Sequence, residues 1–231
     1  MLGEGFVMTL QIFFLTLIGS VPLGVIVAFG RMNTWAPFGF LDAHGEKKGV
    51  IGAVAHFAPL AVLTRIYISI MRGTPLMLQM FAIYFAPYYI FGMELSPESK
   101  FNACIVAFII NYAAYFAEIY RGGIQAIPRG QYEAAAVLGY SRSQTFFRIV
   151  LPQVAKNILP AMGNEIITLV KDTSLAFAIG VAEMFSTAKA LVASQANMIP
   201  FFIAAAFYWV FNFIIEIMLN FVEKKMNYYH D

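Results

Sequence analysis

Charge is what this sequence has least of. Only 12% of its 231 residues are charged, while 60% are hydrophobic. Soluble domains carry about 25% charged residues and about 45–50% apolar ones. A globule in water could not cover its surface with so little charge, and disorder is excluded because the chain is so apolar. The single cysteine, Cys104, excludes a disulfide framework. The net charge is only +2 and no basic tract occurs, so nucleic acid is not an expected partner. No Gly-Lys pair exists, which removes the phosphate-cradling loop of an ATPase. His44, His56 and His230 have no metal-ligand spacing. No His or Cys stands near a plausible nucleophile in the apolar runs. Neither catalysis nor a cofactor or metal held by this chain is expected. There is no low-complexity tract and no clear internal repeat.

Long apolar runs are what the chain does have. They are Phe6–Phe29, Pro75–Gly92, Phe101–Ile119, about Ile158–Val181 and Ile199–Val222. Each approaches the roughly 20 residues that cross about 30 Å of hydrocarbon as a helix. They are solidly apolar, unlike the alternating strands of a membrane barrel. The first run is longer than the core of a secretory signal and has no basic flank, so it is read as a first span, loosened by Pro22 and Gly24. The predicted fold class is all-α: a polytopic helical membrane protein with five transmembrane helices, in one transmembrane domain over residues 1–231. Val54–Met71 is apolar but interrupted by Pro59 and Arg65. It is read as an interfacial or partly inserted helix leading to the second span; counting it as a span gives the six-helix alternative.

Orientation follows from Lys and Arg. With the N-terminus outside and the C-terminus cytoplasmic, twelve of the fifteen basic residues fall on the cytoplasmic side. They are Arg31, Lys47, Lys48, Arg65 and Arg72, then Arg121, Arg129, Arg142, Arg148 and Lys156, then Lys224 and Lys225. Only Lys100 and Lys189 fall outside, and Lys171 lies within a span.

Polar residues inside the runs are costly, about 2.5–3.5 kcal/mol for a charge at the bilayer centre, so they should pair, face the bundle or line water. The candidates are Asn111, Glu118, Lys171, Asp172 and Ser174, with Glu165 and Glu216 beside them. Structural ion pairing and a translocation pathway are the two readings. Asp172 is expected to pair with another span or to mark a discontinuity at Thr173-Ser174. Ala103 and Ala107, with Ala113 and Ala117, permit close helix approach, either within the bundle or at a dimer interface. Cys104 reads as a small buried side chain. Tyr88, Tyr89, Tyr208 and Trp209 suit interfacial belts.

The long cytoplasmic loop, about residues 121–157, has legible local physics. Gln131–Leu138 is rich in helix formers, and Gly139 suits a left-handed C-terminal cap. Ser141 with Gln144 matches a capping box. Pro152 is expected to end the second helix. The pattern predicts two short helices around a glycine turn. Tyr132, Val137, Leu138, Phe146 and Phe147 then need cover, either from the chain's own bundle or from a docked partner.

Glu133-Ala134-Ala135, Gly139 and Ile149-x-Leu151-Pro152 resemble the EAA loop of ATP-binding-cassette importer permeases. Arg72-Gly-Thr-Pro-Leu, Asn111-Tyr-Ala-Ala-Tyr-Phe-Ala-Glu118, Arg121-Gly-Gly-Ile-Gln-Ala-Ile-Pro and Lys171-Asp-Thr-Ser-Leu extend the likeness over nearly the whole chain. Together these motifs resemble the polar amino acid permeases of the histidine/glutamine/glutamate type. The insert around Gly39–Gly52 departs from that pattern. The resemblance implies a type I importer permease in the bacterial inner membrane, paired with a second copy or a paralogue. It implies ATPase subunits that bind and hydrolyse the ATP, and a substrate-binding protein outside. It makes Glu133, Ala134, Ala135, Gly139 and Pro152 the ATPase-coupling loop, with Glu133 anchoring that loop through an arginine or backbone donors. The rival class is a stand-alone secondary transporter or channel, against which five spans without an inverted repeat speak.

Overall fold

The computed structural model describes residues 1–37 and 56–226, and among these the chain is helical with no strand. α1 (Leu2–Met32) is followed by α2 (Pro59–Gly73), α3 (Leu76–Phe91) and α4 (Pro97–Gln125). The short helices α5 (Arg129–Val137) and α6 (Arg142–Thr145) come next. A π-turn, Phe146–Val150, leads into α7 (Leu151–Asp172), which ends in a 3₁₀ stretch, Thr173–Ile179. α8 (Met184–Gln195) and α9 (Ile199–Met226) complete the fold.

Three helices, α1, α4 and α9, are each long and apolar enough to cross a membrane. Two bent pairs can each supply one more. α2 and α3 meet at 109°, and the stretch Arg142–Ile179 meets α8 at 56°. Counted this way, the spans number five. The six-span alternative is not supported: α2 has 15 residues, about 22 Å of helix, and shares its span with α3. The sequence predicts a cytoplasmic loop over Asn33–Gly52; residues 38–55 lie outside the described residues, as do His44, Lys47, Lys48 and His230.

α4 is the axis of the bundle. Its most apolar window is 56% buried, against 6% for α9. The cause is its small residues. Ala103, Ala107, Ala113, Ala114 and Ala117 are all buried, and α1 packs along them. A Cβ at Gly24 of α1 would fall 2.9 Å from the Phe116 Cβ and 3.2 Å from the Ala113 carbonyl, so the crossing requires glycine there. The small-residue pattern therefore serves bundle packing, and Cys104 is buried and free within it. Around this seam Ile12, Phe13, Met80, Phe108, Tyr112, Phe116, Leu169 and Val170 form the principal core.

Candidate functional site

The α2–α3 bend opens the helical ladder and strands carbonyls, and each one left unmet away from water is costly. Two buried amides meet them. Gln79 Nε2 donates to the carbonyls of Met71 (2.9 Å) and Thr74 (3.1 Å) and to Thr74 Oγ1 (2.8 Å). Asn111 Nδ2, from α4, donates to Met71 O (3.1 Å) and to Gln79 Oε1 (3.0 Å). Tyr67 adds a hydroxyl bond to the Ile110 carbonyl. Asn111, a pathway candidate from sequence, thus holds the bend in place. Gln79 was not singled out from sequence. The signal available was an amide four residues after Pro75, inside an apolar run.

Glu118 sits where α1, α2 and α4 converge. Arg121 grips it as a fork, Nε lying 3.1 Å from both carboxylate oxygens and Nη2 2.6 Å from Oε2. Arg31 Nε is 3.9 Å away and Arg72 Nη1 4.0 Å away. Arg72 also lies over the Tyr115 ring, 5.3 Å from its centre, a cation–π arrangement. One carboxylate therefore gathers three guanidiniums, the pairing such a residue needs near hydrocarbon.

Asp172 reaches across to α4 and accepts from the Tyr112 hydroxyl at 2.7 Å. The helix changes to 3₁₀ one residue later. There Thr173 and Ser174 each donate to the carbonyl three residues back, at 2.7 Å. Both expectations for Asp172, a partner on another span and a nearby discontinuity, are met. One residue is about 100° of helix turn, so when Asp172 turns inward, Lys171 turns out. It is exposed, and among the described residues its ammonium has no ion-pair partner. Glu165 is half-buried and Glu216 exposed.

A second buried polar centre went unread in the sequence. Glu183 is wholly buried and caps α8, accepting from the backbone N–H of Phe185 (2.6 Å) and Ser186 (2.7 Å). The Tyr208 hydroxyl of α9 donates to it at 3.1 Å. Thr9 of α1 accepts from Met184 N at 3.2 Å. Glutamate is not a favoured cap residue, so local propensity gave no warning.

The cytoplasmic loop follows its sequence signals at the turn. Gly139 has φ +75°. Tyr140 N–H bonds the Ala135 carbonyl and Gly139 N–H that of Ala136, both at 3.0 Å, the paired pattern of a left-handed helix stop. Ser141 and Gln144 exchange side-chain and backbone bonds at 2.8 and 3.3 Å, completing the capping box. Pro152 does not end the second helix, which is a correction. It sits in the first turn of α7, and the chain stays helical through the π-turn before it. A mid-helix proline lacks an N–H and crowds the carbonyl four residues back. The π-turn relieves this, since Leu151 N–H bonds the Phe146 carbonyl five residues back.

The root of the loop is packed. Ile127, Val150 and Val154 form a small core with Ile124, Phe146 and Ile158. Ala135 is buried too. Its tip is bare: Val137 is 88% exposed, Leu138 74% and Phe147 65%. Glu133 and Ala134 are exposed. Glu133 makes no hydrogen bond or ion pair among the described residues, so none of these supplies the expected anchor.

Residues 49–228 match the family described as binding-protein-dependent transport system inner membrane component. The glutamine transport system permease protein of Escherichia coli (strain K12) is 33% identical over 98% of this chain and 93% of its own length. The probable amino-acid permease protein of Bacillus subtilis (strain 168) is 34% identical over 93% of this chain and 92% of its own. Among solved structures, an amino acid ABC transporter crystallised with histidines superposes with a TM-score of 0.80. It is 32% identical and covers 97% of this chain and 93% of that one. The all-helical bundle, the two bent spans and the capped cytoplasmic loop agree with this assignment: the chain belongs to the inner membrane components of binding-protein-dependent transport systems, as a multi-pass permease subunit whose ATPase activity lies in a separate subunit.

Proposed function

We propose that this permease carries a polar amino acid inward across the cytoplasmic membrane and takes its drive from an ATPase docked on the α5–α6 loop. The observation that carries the reading is that loop's construction. Its glycine turn is capped on both sides and its root packed, yet Val137, Leu138 and Phe147 stand exposed without cover. Apolar residues held rigidly in the open are the anatomy of a contact core. Glu133, Ala134, Ala135 and Gly139 form this contact, and Pro152 starts the helix that carries its motion into the membrane. Glu133 finds its anchor on the ATPase. ATP is bound and hydrolysed there, and no cofactor is assigned to this chain.

The polar amino acid class rests on the relatives, which are amino-acid and glutamine permeases over nearly their full length. A secreted substrate-binding protein delivers the substrate from outside. The N-terminus faces outward and the C-terminus inward, supported by the bias of basic residues. A second copy, or a paralogue, covers what the single chain leaves open. Lys171 and Glu216 are exposed charges within spans, and α9 is barely buried. Facing lipid, each charge would cost about 2.5–3.5 kcal/mol.

The test is to purify the permease with its ATPase in lipid, wild type beside Gly139→Val and Glu133→Ala. Both variants should still insert in the membrane. Both should lose ATPase retention or substrate-stimulated hydrolysis. Wild-type retention and stimulation in both would make the loop a structural cap.

A further inference from the structure

α8 begins after a break in the chain and is joined differently to its two sides. On one side lies the 3₁₀ stretch at the end of α7. Gly180 follows it with φ +80°, and α8 then departs at 56°. The side-chain links across this junction are soft. Phe177 and Phe185 meet edge to face with centres 5.3 Å apart, and Lys189 lies over the Phe177 ring at 5.2 Å. Ring contacts of this kind tolerate sliding.

On the other side the links are directional. The buried Glu183 carboxylate binds the second and third N–H groups of α8, those of Phe185 and Ser186, and the Tyr208 hydroxyl of α9. Thr9 of α1 holds Met184 N–H and itself donates to Gly5 O at 3.1 Å. α1 presses so close that a Cβ at Gly5 would fall 2.7 Å from Thr187 Oγ1 and 3.1 Å from the Glu183 carbonyl. Met184, Ala188 and Ala204 pack together beneath these bonds with Leu2, Phe6 and Phe201. α7 also packs along α9, but through apolar contact: a Cβ at Gly163 of α7 would fall 3.3 Å from Leu219 Cδ1 of α9.

We propose that Glu183 is a positioning residue that fastens α8 to α1 and α9 as one outer frame, against which α7 pivots at Gly180 when the cytoplasmic loop is moved. α7 is continuous with that loop through the π-turn, so thrust on α6 reaches Asp172 along one helix. A carboxylate suits the fastening role. It accepts from two backbone N–H groups and a phenol together, which a glutamine amide with one oxygen and an NH₂ cannot do. The proposal rests on the coupling reading above, and the experiment separates the two.

The full complex with its ATPase is reconstituted in lipid in a Cys104→Ala background. Uptake and ATP hydrolysis are measured together. Glu183→Gln should keep the ATPase bound while uptake per ATP hydrolysed falls about fivefold. Tyr208→Phe, which leaves the two backbone bonds, should fall less. An unchanged ratio in Glu183→Gln overturns the proposal. A second arm does not depend on that variant folding, and uses short thiol cross-links in otherwise intact protein. Phe185→Cys with Phe201→Cys ties α8 to α9 and should leave most uptake. Phe177→Cys with Phe185→Cys ties α8 to the end of α7 and should cut uptake about tenfold. Equal effects, or the reverse order, overturn the pivot. Failure of the coupling reading would show separately, as full ATPase retention in Gly139→Val.

Discussion

The α2–α3 corner and the α5–α6 loop both turn a helical chain within a few residues, and they finish the turn in opposite ways. At the corner every displaced carbonyl named above finds a donor inside the chain, from Gln79 and from Asn111 of a neighbouring span. At the loop the turn itself is closed as well, through Gly139 and the Ser141–Gln144 box, but the side chains find no such cover. Val137 and Leu138 have no cover and Glu133 no partner among the described residues. The corner's two amides are buried between helices, while the loop tip lies where another protein can cover it. The difference separates what the chain completes alone from what it leaves for assembly.

The comparison would break if the inner polar groups were dispensable. Glu118→Ala is the severest test, because it leaves Arg31, Arg72 and Arg121 without their shared carboxylate. Removing one partner of a buried ion pair costs about 3–5 kcal/mol; Glu118 keeps 17% exposure, so a loss of about 2–3 kcal/mol is expected. Thermal unfolding in detergent, with yield of folded protein, reads it. A melting point equal to wild type would show that the arginines have other cover.

Asn111→Leu comes next. It removes the donor to Met71 O and to Gln79 Oε1 without opening a large cavity. Unmet buried polar groups cost about 1–3 kcal/mol, and in bundles in lipid individual side-chain bonds average nearer 0.6 kcal/mol. A destabilisation of about 1–2 kcal/mol is expected. Gln79→Leu should cost at least as much, since it strips four bonds, three donated and one accepted. If the double variant lost no more than either single one, the two amides would act as one clamp.

The corner and the loop also differ in how far the sequence exposes them. The loop is a local object: Gly139, Ser141 and Gln144 act on backbone within five residues, so spacing alone reveals it. The five apolar runs are equally plain, because 20 residues of hydrophobicity require no neighbour to interpret. The corner is not local. Asn111 reaches Gln79 across 32 residues and Met71 across 40, and only the fold brings them together. Glu183 depends on Tyr208, 25 residues later, and its neighbour Met184 on Thr9, 175 positions earlier. Lys171 and Asp172, by contrast, are adjacent, and helix phase alone sends the two in different directions. Pro152 was read as a stop because a proline's usual effect is local, while the π-turn that absorbs it is set by how α7 continues into the membrane.

Gly139→Val sharpens the other half of the comparison. Its φ of +75° costs a branched residue about 1–2 kcal/mol, and no neighbour lies within 4 Å to clash, so the penalty is conformational alone. The bundle should melt close to wild type, because the turn lies outside it, while limited proteolysis should cut within residues 129–145 faster. Unaltered cleavage there would mean that Val adopts the turn without strain.

Leu138→Ser should have the smallest effect on stability and is the sharpest test of what the loop is for. Leu138 is 74% exposed and touches no part of the cores that hold the bundle. Exposed substitutions of this kind lie within about 0.5 kcal/mol, so the melting point of the isolated permease should not move measurably. If the loop tip is a contact core, the same change removes an apolar anchor from an interface. Such truncations cost more than about 1 kcal/mol of binding, or fivefold and upward in affinity. ATPase titrated onto lipid-embedded permease should therefore bind at least about fivefold more weakly to Leu138→Ser, with Val137→Ser following in the same direction. Asn111→Leu should show the converse, a lower melting point with ATPase affinity unchanged wherever the protein stays folded. Should Leu138→Ser instead destabilise the permease and leave ATPase affinity intact, the tip would be cover for the bundle, and the contrast between a completed corner and an unfinished loop would fall.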